Sequence, residues 1–185
     1  MKSMARLEIL EEKNSLDPRE IEYLRGVPIF QELDDSQIGK IMSMAKRVEL
    51  AQGAVLMEEG EEGDTLYIIR EGEVEISKAL TLPLGGGKTS PTEKALRRCG
   101  AQDRAIFGEL SLFDQPARSA TVRCLTNCSF YALGREEFLK FCDENPHIGY
   151  VVFKNLARMV CDRLRKTSED VVKLTTALSI ALSQR

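Results

Sequence analysis

The stretch GEEGDTLYIIREGEVEI, residues 60–76, contains short apolar runs separated by glycines and charged residues. The runs LYII and VEI are rich in isoleucine, valine and tyrosine, which favour β-strands. Gly60, Gly63 and Gly72 mark turns at the ends of these runs. The stretch therefore predicts a pair of neighbouring β-strands.

The same pattern continues on both sides of this strand pair. Upstream, RVEL and AVLM follow one another from Arg47, and downstream SATVRC and CSFYAL are separated by Thr126 and Asn127, which predicts a closing hairpin. Between them, residues 81–94, TLPLGGGKTSPTEK, combine glycines, prolines and small polar residues. We expect an exposed flexible loop there, with strand structure resuming at Ala95.

The run GGGKTS inside that loop is similar to the end of a phosphate-binding P-loop. Leu82, however, stands where that motif requires a glycine. We therefore interpret the run as part of the flexible loop.

Helices are predicted on both sides of the strands. Pro18 can begin a helix that Gly26 ends, and Asp34 or Asp35 can cap a second helix before the strands begin. After Gly134 the chain is expected to be helical to its end.

In the last part of the chain, apolar and small residues are spaced alternately by four and three positions, as in a coiled-coil seam. The positions are Val160, Leu164, Thr167, Val171, Leu174, Leu178 and Ala181. This stripe could pack on the chain's own strands, but a helix that rises about 1.5 Å per residue outruns a small domain. We expect the helix to pair with a second copy.

Composition restricts the class of protein. The chain has 26 basic and 29 acidic residues, so no overall positive charge attracts nucleic acid or anionic lipid. Its five cysteines lack paired CxxC spacing and have only His147 as a further soft metal ligand, which predicts reduced thiols and no zinc site. No signal peptide or membrane span is indicated. We expect a cytoplasmic protein.

The stretch FGELSLFDQPARSATV, residues 107–122, carries the candidate binding chemistry. Gly108 permits close approach of a ligand, and the N–H groups that open the following helical turn can point at a phosphate oxygen. Arg118 offers a charged fork for phosphate oxygens, while Glu109 can accept a hydroxyl proton. Spacing alone leaves open that Glu109 and Arg118 form an internal ion pair that braces a loop.

The residues FGEL, Pro116, Arg118, Ser119 and Ala120 closely resemble the phosphate-binding cassette of cyclic-nucleotide-binding domains. The pattern at residues 60–76 resembles the strand pair of the same family. The resemblance implies a mainly β fold with flanking helices (α+β), an eight-stranded antiparallel β-roll of the double-stranded β-helix, jelly-roll-like type. It divides the chain into an N-terminal helical segment (1–46), the roll (47–134) and C-terminal helices (135–185).

The tail RLRKTSEDVVKL, residues 163–174, is similar to the dimer helix of catabolite-activator regulators, in which Thr-Ser contacts the adenine amino group. The resemblance places Glu109 on the ribose hydroxyl and Arg118, Ser119 and the Gly108 region on the cyclic phosphate. It implies cAMP, or cGMP, as ligand. The implied ligand-binding residues are Phe107, Gly108, Glu109, Leu110, Arg118, Ser119, Ala120, Arg163, Thr167 and Ser168.

Three points leave alternatives open. Thr167 stands at a seam position, where its hydroxyl could bond its own i−4 carbonyl instead of a ligand. The long loop at 81–94 and the unusual GAQDRAI before Phe107 depart from the family pattern near the edge of the pocket.

The sequence also ends at Arg185, close to the expected end of the dimer helix, so we expect no helix-turn-helix and no sequence-specific DNA binding.

The main function predicted is a cyclic-nucleotide sensor that acts through a homodimer or a partner protein. One rival is a dimeric interaction module whose pocket is vestigial or takes another small molecule. A second is a hydrolase using Glu109 with Ser119, but the only histidine lies far from them in sequence and no triad emerges. We expect no enzyme activity.

Overall fold

The computed structural model describes residues 8–10, 16–84, 88–113 and 117–183, and at 8–10 and 80–92 it describes the backbone alone. Pro116 and the glycines at 85–87 lie outside the described residues. The α-helices of the described part are α1 (Pro18–Arg25), α2 (Asp35–Met42), α3 (Arg135–Glu144) and α4 (Pro146–Ser183). Short 3-10 helices lie at Pro28–Phe30, Ala101–Asp103 and Glu109–Leu112.

The described strands form two antiparallel sheets with the orders β1-β2-β9-β4-β7 and β3-β8-β5-β6. They are β1 (Glu8–Leu10), β2 (Lys46–Leu50), β3 (Val55–Met57), β4 (Thr65–Glu71), β5 (Glu73–Leu84), β6 (Lys88–Gly100), β7 (Ile106–Phe107), β8 (Thr121–Cys124) and β9 (Cys128–Gly134). Strands β2 to β9 contribute four strands to each sheet. The expected eight-stranded antiparallel roll with flanking helices is confirmed.

The N-terminal helices begin where the sequence predicts. Asp17 accepts hydrogen bonds from the N–H groups of Arg19 and Glu20, both at 2.8 Å, and the Glu20 carboxylate accepts from the Asp17 N–H. Asp34 caps α2 in the same reciprocal way with Gln37. These capping boxes satisfy N–H groups that the helix itself leaves free. Strand β1 was not expected, because we predicted only helices before β2.

The sheet that contains β4 and β9 is buried on both faces. On one face Leu66 and Ile68 pack against the helices, in a core that includes Leu24 and Val152. On the other face, residues such as Ile69 fill the interior of the roll. A strand buried on both faces needs apolar residues at successive positions, which explains the runs LYII and FYAL. The proposed limits of the three segments stay a prediction.

The expectation of a flexible loop at residues 81–94 is wrong. Strand β5 continues to Leu84 and β6 begins at Lys88, so the two strands pair without a long connection and strand structure does not wait for Ala95. Strand β6 lies at the edge of its sheet, where Pro91 can be tolerated because one side of an edge strand needs no ladder hydrogen bond. The composition of this stretch, rich in glycine and proline, therefore led to a wrong prediction of a loop.

Helix α4 has a buried first part and an exposed second part. Ile148, Val151, Val152 and Leu156 are buried in the core shared with α1 and α2, whereas the residues from Cys161 onward are exposed. At 38 residues, α4 is about 57 Å long. The long C-terminal helix predicted from the sequence is confirmed.

Among the described residues, no helix is long and apolar enough to cross a membrane. The cysteine thiols are all free, with Cys161 exposed and the others buried.

Candidate functional site

The candidate site begins where β7 ends. Gly108 follows Phe107 with a φ of 74°, in the left-handed region, and a 3-10 helix starts at Glu109. The Ser111 hydroxyl donates to the Gly108 carbonyl at 2.6 Å and fixes this turn. A Cβ on residue 108 would lie 2.4 Å from Nη1 of Arg118 and 2.5 Å from the Thr65 carbonyl oxygen. Only glycine fits both this backbone conformation and this close approach.

Arg118 is 8% exposed, and its side chain is held from two sides. Its Nη1 donates to the Thr65 carbonyl at 3.0 Å, and its guanidinium carbon lies 5.8 Å from the centre of the Tyr67 ring. Burial raises the pKa of the Tyr67 phenol, while Arg118 opposes that shift. The ring therefore remains neutral beside the guanidinium.

The backbone around Arg118 pairs with the turn that precedes β4. The Arg118 N–H donates to the Glu61 carbonyl at 2.8 Å, and the Gly60 N–H donates to the Arg118 carbonyl at 2.9 Å. A Cβ on Gly63 would lie 2.5 Å from Nε of Arg118. The glycine pattern at residues 60–63 thus gives space and backbone partners to Arg118.

Glu109 is 6% exposed and is paired with Arg163 of α4, whose Nη1 donates to Glu109 Oε1. The Arg163 side chain is about half exposed and also reaches the Ile106 carbonyl, at 3.5 Å. Glu109 and Arg118 form no ion pair with each other. The internal Glu109–Arg118 brace that spacing had left open is therefore absent, and each side chain has a separate partner.

The charge of Arg118 has few compensating partners among the described residues. In the described part of the chain, no carboxylate forms an ion pair with its guanidinium. A buried cation is costly unless it is paired, and carbonyl and ring contacts compensate only in part. An anion bound beside Gly108 and Arg118 would complete the arrangement.

The remaining predicted residues lie around this centre at different depths. Phe107 is buried in the roll and meets Phe130 edge to face at 6.4 Å. Ser119 is exposed and Ala120 is buried, whereas Leu110, expected to line the pocket, is 47% exposed.

Thr167 and Ser168 lie on the exposed part of α4, about one turn beyond Arg163. Their hydroxyls donate to the carbonyls of Arg163 and Leu164, at 2.9 and 3.0 Å. This i−4 bond is the alternative that the sequence had left open for Thr167. The contact of either residue with adenine stays a prediction.

Sequence reasoning missed two participants and one pairing. The Thr65 carbonyl is a backbone group, so no residue type could signal it, and Tyr67 was recognised only as a strand residue. The Arg163–Glu109 pair joins residues 54 positions apart, with no local pattern to connect them. Gly63 was noted as part of a pattern, and its close approach to Arg118 gives that pattern a physical reason.

The comparisons with known proteins agree with this geometry. A family model described as the cyclic nucleotide-binding domain matches residues 47–145, more than half of the chain. A CRP-like cAMP-activated global transcriptional regulator of Mycobacterium tuberculosis is 30% identical over 155 residues, which cover 83% of this chain and 62% of the regulator. The chain thus spans less than two thirds of the length of that relative.

Two solved structures extend the comparison. The catabolite activator protein of Thermus thermophilus is 28% identical with a TM-score of 0.66, over 80% of this chain and 63% of that one. The regulatory domain of Toxoplasma gondii PKA in complex with cAMP is 25% identical with a TM-score of 0.58, over 77% of this chain and 48% of that one. Together with the buried Arg118 and the glycine turns beside it, these matches show that the chain belongs to the cyclic nucleotide-binding domain family.

Proposed function

We propose that this chain is a cAMP-sensing regulatory module that passes its signal through a homodimer or a partner protein. The observation that carries the proposal is the buried Arg118 guanidinium, which has a carbonyl and an aromatic ring as partners but no carboxylate among the described residues. A cyclic phosphate has one negative charge and two exocyclic oxygens, which suit a guanidinium fork. Gly108 has no Cβ that would keep the phosphate away from Arg118.

The ribose of the ligand would lie beside Glu109. A carboxylate accepts hydrogen bonds only, so it suits a 2′-hydroxyl donor. Arg163 pairs with Glu109 and links it to α4. Ligand entry would therefore act on the contact between the roll and the long helix.

The base would be recognised by Thr167 and by Ser168 of a second copy. Their hydroxyls are exposed on α4, and each retains acceptor capacity while it donates to its i−4 carbonyl. An acceptor at this place favours the amino group of adenine, which supports cAMP over cGMP. The names of the M. tuberculosis regulator and the T. gondii complex, both of which mention cAMP, agree with this choice.

The second half of α4 supports a dimer. Leu164, Val171, Leu174 and Leu178 are all more than half exposed and lie on one stripe of the helix. Such a stripe is unfavourable in water and would be covered by the same stripe of a second copy. The free thiols fit a reducing compartment, so we place the module in the cytoplasm.

One observation favours a second function, an interaction module without a nucleotide. The Glu109 carboxylate, which would face the ribose, already has an ion-pair partner within the chain in Arg163. Neither candidate is an enzyme. Glu109 is held by an arginine, and Ser119 shows no paired base in the described residues, whereas a nucleophile needs one within hydrogen-bond reach.

Isothermal titration of the wild type and Arg118→Ala with cAMP and cGMP tests the proposal. We expect the wild type to bind cAMP more tightly than cGMP, and Arg118→Ala to lose roughly 2–5 kcal/mol, because one partner of a desolvated charge pair is removed. Arg98→Ala is the matched control, since Arg98 is well exposed on β6 and pairs with Glu75 at 3.1 Å. Wild-type affinity in folded Arg118→Ala would refute the phosphate role, and no heat with either nucleotide would favour the interaction module.

A further inference from the structure

The segment that enters the candidate site is carried by a short turn between β6 and β7. Residues 101–105 form this turn, and Ile106 to Glu109 follow directly. The Ala101 N–H donates to the Gly72 carbonyl at 3.2 Å, and the Ile69 N–H donates to the Ala105 carbonyl at 3.1 Å. The turn therefore leads directly into Gly108 and Glu109, and its position acts together with the pairing of β7 with β4 to fix where they lie.

Tyr23 of α1 contacts this turn from outside the roll. Its hydroxyl lies between the carbonyl oxygens of Ile69 and Ala101, the second at 3.2 Å, and can share its proton between them. Burial raises the pKa of Tyr23 to about 12, so the phenol keeps this proton at neutral pH. One side chain of α1 thus joins strand β4 to the start of the turn.

Arg104, which lies in the turn, contacts α1 through Tyr23 and Gly26. Its backbone adopts a left-handed conformation, with a φ of 49°, and its guanidinium carbon lies 5.9 Å from the centre of the Tyr23 ring. A Cβ on Gly26, at the end of α1, would lie 2.2 Å from Nε of Arg104. Gly26 therefore makes room for the arginine that covers Tyr23.

Helix α1 is itself fixed to the roll by a different residue. Glu20 Oε1 accepts from Tyr131 at 2.8 Å, Arg47 at 2.9 Å and Arg70 at 3.2 Å, on three strands of one sheet. These bonds hold α1 without touching the turn. Tyr23 therefore extends from a fixed helix to the segment that leads into the site.

We propose that Tyr23 and Arg104 are positioning residues for the binding site: through the turn at residues 101–105 they hold Gly108 and Glu109 in the binding geometry. The effect on nucleotide affinity rests on the proposed function, whereas the effect on the turn does not. A turn released from Tyr23 would populate other positions, and the apparent affinity falls by the fraction that remains competent.

The pair Tyr23→Phe and Tyr131→Phe provides a matched test, because each variant deletes one hydroxyl between α1 and the roll. Hydrogen exchange of the ligand-free protein is measured for peptides that cover residues 99–109 and 46–50. We expect Tyr23→Phe to raise exchange in 99–109 only, and Tyr131→Phe to leave 99–109 unchanged. Equal exchange of 99–109 in the wild type and Tyr23→Phe would overturn the proposal.

Titration with cAMP adds the second measurement. Loss of one hydrogen bond corresponds to about fivefold, so we expect Tyr23→Phe to bind about fivefold more weakly and Tyr131→Phe to stay within about twofold. Arg104→Asn, which tolerates the left-handed backbone but lacks the guanidinium, should behave like Tyr23→Phe. If both tyrosine variants lowered cAMP affinity equally, Tyr23 would contribute only to general stability and not to positioning of the site. If the wild type binds no nucleotide, the proposed function fails and the exchange result alone decides the positioning.

Discussion

The position of Arg118 depends on two neighbouring glycines that have no Cβ atom. Gly63 and Gly108 both lie against its guanidinium, and a Cβ on either would approach a side-chain nitrogen to 2.5 Å or less. The site therefore requires glycine at both positions as well as the arginine itself. The two glycines therefore fix the position of the buried Arg118 guanidinium closely.

Gly63→Ala should accordingly weaken ligand binding without removing any charged group. The added methyl pushes the Arg118 guanidinium from its place below Gly108, so we expect at least about a tenfold loss of cAMP affinity, ~1.4 kcal/mol. Gly39→Ala is the control, because its Cβ would meet open space in α2. Titration and thermal unfolding of both variants provide the comparison. Unchanged affinity in Gly63→Ala would mean that Arg118 does not contact the ligand.

Single residues were predictable from the sequence where local spacing constrains them. Glu109 and Arg118 lie nine positions apart in one motif and could be assigned together, and both are buried in the candidate site. The partners of these residues could not be assigned. Thr65 contributes a backbone carbonyl and Arg163 comes from a distant helix, so only the fold brings them together.

At the level of elements, cap residues predicted the helices better than composition predicted the hairpin. Asp17 and Asp34 each cap a helix through side-chain bonds within three residues, which makes the signal local. Strands β5 and β6 instead stabilise each other along their length, from Glu73–Gly100 to Leu84–Lys88. Pairing between strands depends on the partner strand, so the glycine-rich composition of residues 81–94 did not reveal it.

Helix α4 combines two roles along one element. Its first turns complete the core between the sheet and the helices, while the exposed stripe beyond Cys161 has no partner within the described chain. The change occurs close to Arg163, which pairs with Glu109. A ligand at Glu109 therefore lies where the packed part of the helix becomes the exposed part.

Leu174→Glu should prevent dimer formation. Leu174 is 70% exposed in the single chain and lies in the centre of the stripe, and a charge there would have to be buried without a partner. We expect sedimentation to show a dimer for the wild type and a monomer for Leu174→Glu. Since Ser168 of a second copy is proposed to reach the base, cAMP affinity should fall with the dimer.

Thr176→Glu is the control for the stripe, because residue 176 lies on the opposite side of the helix and should keep the dimer. A wild type that sediments as a monomer would contradict the proposal that the exposed stripe of α4 pairs with a second copy. A monomeric Leu174→Glu that binds cAMP as tightly as the wild type would contradict the proposal that Ser168 of a second copy contacts the base. The proposed dimer contact through the stripe would still stand.

On the scale of the whole molecule, two apolar cores share one sheet, and Glu20 is the main polar link between helix α1 and that sheet. One core fills the roll and the other lies between the sheet and the helices. Glu20 bonds to β2, β4 and β9 together. Helix α1 is therefore held to three strands of the sheet through one carboxylate, in addition to the Tyr23 hydroxyl and the apolar contacts.

Glu20 should make the stability of the whole molecule depend on acidic pH. Burial alone would raise the pKa of Glu20, but Tyr131, the Asp17 N–H, Arg47 and Arg70 together lower it below the ordinary 4.5. A carboxyl whose pKa is lower in the folded state contributes stability above the unfolded value, and this contribution is lost as pH falls through the folded value. The wild type should therefore lose stability below about pH 4.5.

Glu20→Gln isolates this contribution from the other acidic groups. At pH 7 the variant should be less stable than the wild type by roughly 1.5–3 kcal/mol, since hydrogen bonds between charged groups are lost. The difference should shrink as the pH is lowered from 4.5 towards 3, because protonated Glu20 resembles glutamine in charge. Urea unfolding at several pH values measures it, with exposed Glu22→Gln, expected within about 0.5 kcal/mol of the wild type, as control. A stability difference that stays constant from pH 7 to pH 3 would show that the Glu20 charge does not hold α1 to the roll.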